Sequence, residues 1–415
     1  MYQNIERRGM LLKKSELVAN KTIQICGSKS ISNRLLILNA LFKNIKMDNL
    51  SDSEDTALLQ NALNSDEEII NIHHAGTAMR FLTAYYAIQP DKTVILTGSE
   101  RMQQRPIHFL VESLRNLGAE IECLENEGFP PLKITGKQLV KSNVSIPGNV
   151  SSQFISALLL IGAKLPNGLH LEITGEITSR PYLEMTVNTL ERAGIEVSFE
   201  NNTVQIRPKP FTDSYSSIFF FEVESDWSSA SYYYALAAIG RKNICLKSFN
   251  NRSVQGDSRI KEIYWDNFGV NTVTDIQEHE ISIFPEIFAY PESVNLDMND
   301  CPDIAQTVCV TAAALKIPFY ITGLATLKVK ETDRLQALKN ELLKIGCETE
   351  ITSDSIQSVR YFEPQENILI QTYNDHRMAM SFAPYCLIQD IEIENPAVVE
   401  KSYPKFWEDL KSVLQ

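Results

Sequence analysis

The sequence predicts an α/β (α+β) protein of more than one domain, and three observations predict it. The chain is long; six helices of small and apolar residues each follow a short polar or glycine-bearing lead-in; and an amphipathic helix recurs between them, ending in glycine before a β-type run. At 415 residues the chain exceeds what one hydrophobic core usually organises, so two domains are expected.

The first lead-in is Gly27-Ser28-Lys29-Ser30-Ile31-Ser32-Asn33-Arg34, running into 35–42, and the second is His74-Ala75-Gly76-Thr77-Ala78-Met79-Arg80, running into 81–88. The others are 149–153 before 154–163, 225–231 before 232–239, 300–304 before 305–315, and 374–377 before 378–388. From the second onward they recur about every 75 residues, a period that signals modular architecture. The amphipathic helices close at Leu117-Gly118-Ala119, Ala193-Gly194-Ile195, Phe268-Gly269-Val270 and Ile345-Gly346-Cys347. Glycine there permits a left-handed cap, and the β-branched residues that follow start a strand. Each module therefore reads helix, strand, helix, strands. The first gap is only about 47 residues, so one module is expected to be shortened between Thr56 and His74, with Asp66-Glu67-Glu68 standing in for a helix and a hairpin.

Composition is that of an ordinary globular protein, 44% hydrophobic and 22% charged. Its net charge of −13, from 39 basic and 52 acidic residues, argues against nucleic acid or an anionic membrane as the partner. Seven scattered cysteines without a CxxC suit neither zinc nor a disulfide framework and point to a reducing cytoplasm. No signal-peptide core occupies residues 1–20, and no window approaches the roughly 18 apolar residues of a membrane span.

Against an acidic whole, the basic residues are informative where they cluster. The first turn of a helix offers unpaired N–H groups and about half a positive charge. Lys29 and Ser30 lie there, with Arg34 one turn on, and Thr77 and Arg80 repeat the arrangement. The bland alternative is a capping Ser or Thr beside solvated cations, and repetition weakens it. Gly27-Ser28-Lys29-Ser30 is not a P-loop, since Ser28 precedes the lysine and 21–26 holds no glycine. Further clusters are Arg101-Met102-Gln103-Gln104-Arg105-Pro106-Ile107, Lys328-Val329-Lys330-Glu331-Thr332-Asp333-Arg334 and Asn374-Asp375-His376-Arg377. The middle one also reads as a solvated helix face, and His376 as a satisfied core histidine. The last sets charges against a helix that should be buried, which is costly unless they are paired or ligand-bound.

In order along the chain, these segments resemble the EPSP synthase (3-phosphoshikimate 1-carboxyvinyltransferase) family of enolpyruvyl transferases. The matching stretches are GSKSISNR at 27–34, AGTAMR at 75–80, RMQQRPI at 101–107, GNVSSQF at 148–154, SRPYLE at 179–184, DWSSASYY at 226–233, DCPDIA at 300–305, KVKETDRL at 328–335, NDHRMAMSF at 374–382 and KSYP at 401–404. The resemblance implies two similar domains, each of about three βαβαββ-type repeats in an inverse α/β-barrel-like arrangement, with the active site in the cleft between them. Residues 1–26 and 226–415 would form domain I and 27–225 domain II, whose first repeat is the shortened one. The implied reaction moves the enolpyruvyl group of phosphoenolpyruvate to the 5-hydroxyl of shikimate 3-phosphate through a tetrahedral intermediate, in a cytoplasmic monomer that needs no cofactor and no metal.

By the same resemblance, Lys29, Ser30, Arg34, Ser151, Ser152, Gln153, Ser179, Asp303 and Lys330 hold shikimate 3-phosphate. Lys29, Gly76, Arg105, Gln153, Arg334, Arg377 and Lys401 hold phosphoenolpyruvate. Asp303 would take the hydroxyl proton, with Glu331 and Lys29 delivering one to the methylene carbon, and the inhibitor glyphosate should compete with phosphoenolpyruvate. The chain departs from the family at Cys26, His74, Phe81, Thr326 and Lys328. Two rivals remain: the related transferase acting on UDP-N-acetylglucosamine, whose reactive loop cysteine has no counterpart in 98–106, and a non-catalytic anion-binding relative.

Overall fold

In the computed structural model, which describes residues 9–209 and 218–415, all six lead-ins open helices. They are Lys29–Phe42, Gly76–Ala87, Ser152–Gly162, Trp227–Gly240, Ala305–Ala314 and His376–Phe382. Small and apolar residues surround these helices on every side, and a helix of that kind belongs inside a core. Thus Trp227, Tyr232, Tyr233, Tyr234, Ala305, Val308, Met378 and Ala379 are all buried.

The chain divides into two compact units, one of Gly27–Val223 and one of Met1–Cys26 with Glu224–Gln415. In the discontinuous unit a chain of hydroxyls ties three of the helices together: Ser231 Oγ lies 3.2 Å from Thr307 Oγ1, which lies 3.1 Å from Ser381 Oγ. In the continuous unit the Arg34 side chain does comparable work, donating to Ser156 Oγ and Thr186 Oγ1 on two other helices.

Four of the six sheets among the described residues follow one rule, a parallel pair extended by an antiparallel hairpin. In the continuous unit Ile69–Asn71 pairs parallel with Thr93–Thr97, which continues into Leu132–Thr135 and Glu120–Cys123. Asn143–Pro147 and Leu169–Thr174 do the same ahead of Thr203–Ile206 and Val197–Glu200. The discontinuous unit repeats it in Lys21–Ile23 with Ile244–Lys247 and in Val294–Asp297 with Phe319–Thr322. Its third sheet has three strands, Met10–Leu12 flanking the parallel pair Ile391–Ile393 and Ile368–Ile370. The amphipathic helices end as expected. Gly269, for example, caps Ile260–Phe268 at φ +62°, where a Cβ would also strike Phe288.

The shortened module needs one correction. Its helix is present, as Glu54–Leu63, and among the described residues only the hairpin is missing, leaving the parallel pair Ile45–Asp48 and Phe219–Glu222 as a two-stranded sheet. The local signal for that helix is clear in retrospect. Ser53 caps it by accepting from Thr56 N at 3.3 Å, Glu54 and Asp55 complement the dipole, and Leu59 and Ala62 turn inward.

Candidate active site

In the discontinuous unit, four segments bring their charges together, one of them Pro396–Lys401, which ends on Lys401. The turn Pro302–Ile304 delivers Asp303 just ahead of the buried helix Ala305–Ala314. The segment before Arg334–Lys344 supplies Lys330 and Glu331, and the first turn of His376–Phe382 supplies Arg377. Arg334, only 2% exposed, is the hub: Nε meets Asp375 Oδ2 at 2.6 Å, Nη2 meets Glu331 Oε2 at 2.8 Å, and Nη1 meets Asp303 Oδ1 at 3.1 Å. Arg377 donates to two of Asp303's three oxygens, its backbone carbonyl at 2.8 Å and its Oδ2 at 3.0 Å. Lys330 stands 3.6 Å from Asp303 Oδ1, and Lys401 Nζ meets Glu331 Oε1 at 2.5 Å. The fully buried Asp375 also caps its helix by accepting from Arg377 N at 2.9 Å.

The electrostatics follow from this crowding. Burial raises the proton affinity of Asp303, but Arg377, Lys330 and Arg334 outweigh it and hold the carboxyl well below the usual range. Burial likewise works against charge on Arg334, and its carboxylates more than restore it. The charges that the sequence set against a buried helix are therefore paired. His376 is buried with its Nδ1 3.8 Å from Asp375 Oδ1.

In the continuous unit, the lead-in Gly27-Ser28-Lys29-Ser30 forms the start of Lys29–Phe42, and Lys29 Nζ reaches Asp55 Oδ2 at 3.1 Å. Ser30 lies in the first turn, where its carbonyl accepts from Arg34 Nη1 at 2.7 Å. Arg34 turns inward: its remaining donors go to Thr186 Oγ1, Ser156 Oγ and Tyr182 O, and burial lowers its pKa to about 10, so it stays charged at neutral pH. Phe81 packs its ring 5.6 Å from that guanidinium.

Gly76 and Arg105 come together, such that a Cβ on Gly76 would lie 2.7 Å from Arg105 Nη1. Gln153 donates to Thr77 Oγ1 at 3.2 Å, beside Ser152 at the start of its helix and Ser151 at the cap. Ser179 caps Arg180–Arg192 in a left-handed conformation, φ +54°, without a side-chain cap bond. His74 pairs with Glu54 at 3.2 Å, both about two-fifths exposed. Arg80 is bound to Gly76 O, Met102 S and Pro106 O.

Sequence reasoning missed three participants. Asp55, the partner of Lys29, lies in the first turn of a helix not expected from the sequence. Ser228 and Asp257 share a hydrogen bond near Arg377, and no spacing in the sequence announces it. Among the described residues, no group of three or more His, Cys, Asp or Glu side chains is placed to hold a metal ion, and no helix is long and apolar enough to cross a membrane.

The arrangement suits a pair of small polyanions: cations held in place by carboxylates, with one carboxylate, Asp303, at their centre. Comparison with known proteins gives the same direction. Residues 58–410 match the family described as EPSP synthase (3-phosphoshikimate 1-carboxyvinyltransferase). A 3-phosphoshikimate 1-carboxyvinyltransferase of Bacteroides fragilis is 48% identical over 396 residues, covering 94% of both chains. One from Methanospirillum hungatei is 39% identical over 362 residues, 85% of this chain and 81% of its own. In fold, the chain is similar to an EPSP synthase from Acinetobacter baumannii, with a TM-score of 0.74, 21% identity and 98% of both chains covered. It is similar also to the enolpyruvyl transferase NikO from Streptomyces tendae, with a TM-score of 0.70, 13% identity and 98% and 99% covered.

Proposed function

Because the chain belongs to the EPSP synthase family, we propose that its two charged clusters divide that family's reaction between them residue by residue. The enzyme transfers the enolpyruvyl group of phosphoenolpyruvate to the 5-hydroxyl of shikimate 3-phosphate, giving 5-enolpyruvylshikimate 3-phosphate and phosphate, in the shikimate pathway of chorismate and aromatic amino-acid biosynthesis. The alternative substrate UDP-N-acetylglucosamine is not favoured.

Arg334, Arg377 and Lys401, with Lys29, Gly76, Arg105 and Gln153, hold phosphoenolpyruvate. Lys330 and Asp303, with Lys29, Ser30, Arg34, Ser151, Ser152, Gln153 and Ser179, hold shikimate 3-phosphate. Asp303 accepts the 5-hydroxyl proton as that oxygen attacks C2, while Glu331 or Lys29 protonates the methylene carbon. The tetrahedral adduct then expels phosphate as the methyl group returns a proton. Neutralising repulsion between two anions and orienting them supplies most of the acceleration. Arginine suits the carboxylate and phosphate through its planar fork. The enzyme acts as a cytoplasmic monomer.

The observation that carries this reading is the contact of Asp303 with Arg334, Arg377 and Lys330. Clamped by three cations, Asp303 is a poor base. Substrate anions that draw those cations away raise its proton affinity at the moment it is needed. Phosphate release measured with both substrates tests the reading: release that requires both supports it, whereas binding without release, or release with UDP-N-acetylglucosamine instead, contradicts it. Glyphosate should inhibit competitively against phosphoenolpyruvate, and an uncompetitive pattern would place it elsewhere.

Gly76→Ala gives a finer test. The new methyl would push the Arg105 guanidinium aside, so KM for phosphoenolpyruvate should rise about tenfold, the cost of one weakened charged hydrogen bond, with kcat little changed. An unchanged KM would separate Arg105 from that substrate.

A further inference from the structure

Asp257 lies in the short turn Gly256–Arg259 and is 3% exposed. Its Oδ2 accepts the Ser228 hydroxyl, while its Oδ1 is buried without a hydrogen-bond partner. Ser228 Oγ in turn stands 3.4 Å from Arg377 Nη2, the nitrogen that pairs with Asp303 Oδ2 at 3.0 Å. A hydroxyl whose hydrogen is committed to a carboxylate presents only lone pairs on its other side. With Asp257 ionised, Ser228 can therefore only accept from Arg377, and it competes for the guanidinium. With Asp257 protonated, the carboxylic acid can donate to Ser228, and the serine hydrogen is released toward whatever anion Arg377 holds.

We propose that Asp257 is a positioning residue for Arg377, acting through Ser228, and that it takes up a proton when phosphoenolpyruvate binds. The inference rests on the assignment of Arg377 to phosphoenolpyruvate. The groups acting on Asp257 are Asp303, Arg377 and Asp226 at the start of Trp227–Gly240, and Asp257 in turn acts on the thiol of Cys301. Burial, then the charge of Asp303, pushes Asp257 up to about 7, and Arg377 with the Ser228 hydrogen bond pulls the other way. Burial keeps the Cys301 thiol protonated across the range of interest. Anionic substrate on Arg377 takes away the charge that best stabilises the Asp257 carboxylate, so the carboxyl binds its proton more tightly in the complex than in the free enzyme. Substrate affinity must then fall as pH rises through the free-enzyme pKa, by up to about tenfold per pH unit for one linked proton.

The test compares KM for phosphoenolpyruvate from pH 6 to 8.5 in wild type and Asp257→Asn. The substrate's own titration is common to both and cancels in the ratio. The wild-type KM should climb relative to the variant across neutral pH, and parallel profiles, including a constant offset from a merely structural role, would overturn the inference. Should Asp257→Asn fail to fold, Ser228→Ala keeps the carboxylate but removes its link to Arg377. Calorimetry in buffers of different ionisation enthalpy should then show fewer protons taken up with phosphoenolpyruvate by Ser228→Ala than by wild type, and equal uptake would also overturn it. A wild-type protein that releases no phosphate from the two substrates defeats the functional reading instead.

Discussion

Asp303→Ala should lower kcat by about 100-fold or more, the usual contribution of a positioned general base, while leaving phosphoenolpyruvate binding intact or tighter. The second half of the expectation comes from the cluster's charge count. Asp303 neutralises part of the charge on Arg334, Arg377 and Lys330, and deleting it leaves those cations with one fewer internal competitor for substrate anions. A loss of affinity with kcat preserved would make Asp303 a scaffold for the arginines. Near-normal turnover would remove it from the mechanism. Phosphate-release kinetics and direct binding of phosphoenolpyruvate together separate the outcomes.

Arg334→Met should destabilise the protein by about 3–5 kcal/mol, the range for breaking a buried ion pair from one side. Asp375, wholly buried, loses its 2.6 Å partner, while Glu331 and Asp303 each lose one of the cations paired with them. The cost lies in the carboxylates left behind, so Arg334→Met combined with Asp375→Asn should recover part of the loss. Chemical denaturation of the two single variants and the double gives the coupling energy directly. A single variant within about 0.5 kcal/mol of wild type, the range of an ordinary surface change, would show that Arg334 is held for its ligand alone.

The six helices and the glycine-ended amphipathic helices were legible in the sequence because their signals are local: small residues, a polar lead-in and a cap lie within a few positions of one another. The cations were legible too, as residue types at helix starts. Their partners were not. Arg334 is neutralised by carboxylates from positions 303, 331 and 375, and only the third dimension brings 303 and 375 to it. Asp257 and Ser228 belong to the same class, since a hydrogen bond between a turn and a helix end leaves no periodic trace. Arg34 is a further case: its place one turn after Ser30 was legible, whereas its partners Thr186, Ser156 and Tyr182 lie more than a hundred positions away, where a buried guanidinium finds acceptors for its donors. The helix Glu54–Leu63 was misread because the short gap between the first two lead-ins was taken as the loss of both a helix and a hairpin, although Ser53, Glu54 and Asp55 mark a helix start.

The most direct test is a crystal structure with shikimate 3-phosphate and glyphosate bound. The account predicts the inhibitor's carboxylate and phosphonate on Arg334, Arg377 and Lys401, and the shikimate 5-hydroxyl within hydrogen-bond distance of Asp303, with the ion pairs around that carboxylate lengthened. Ligands bound elsewhere, with Asp303 still clamped to Arg334 and Arg377 at the distances seen without them, would contradict it.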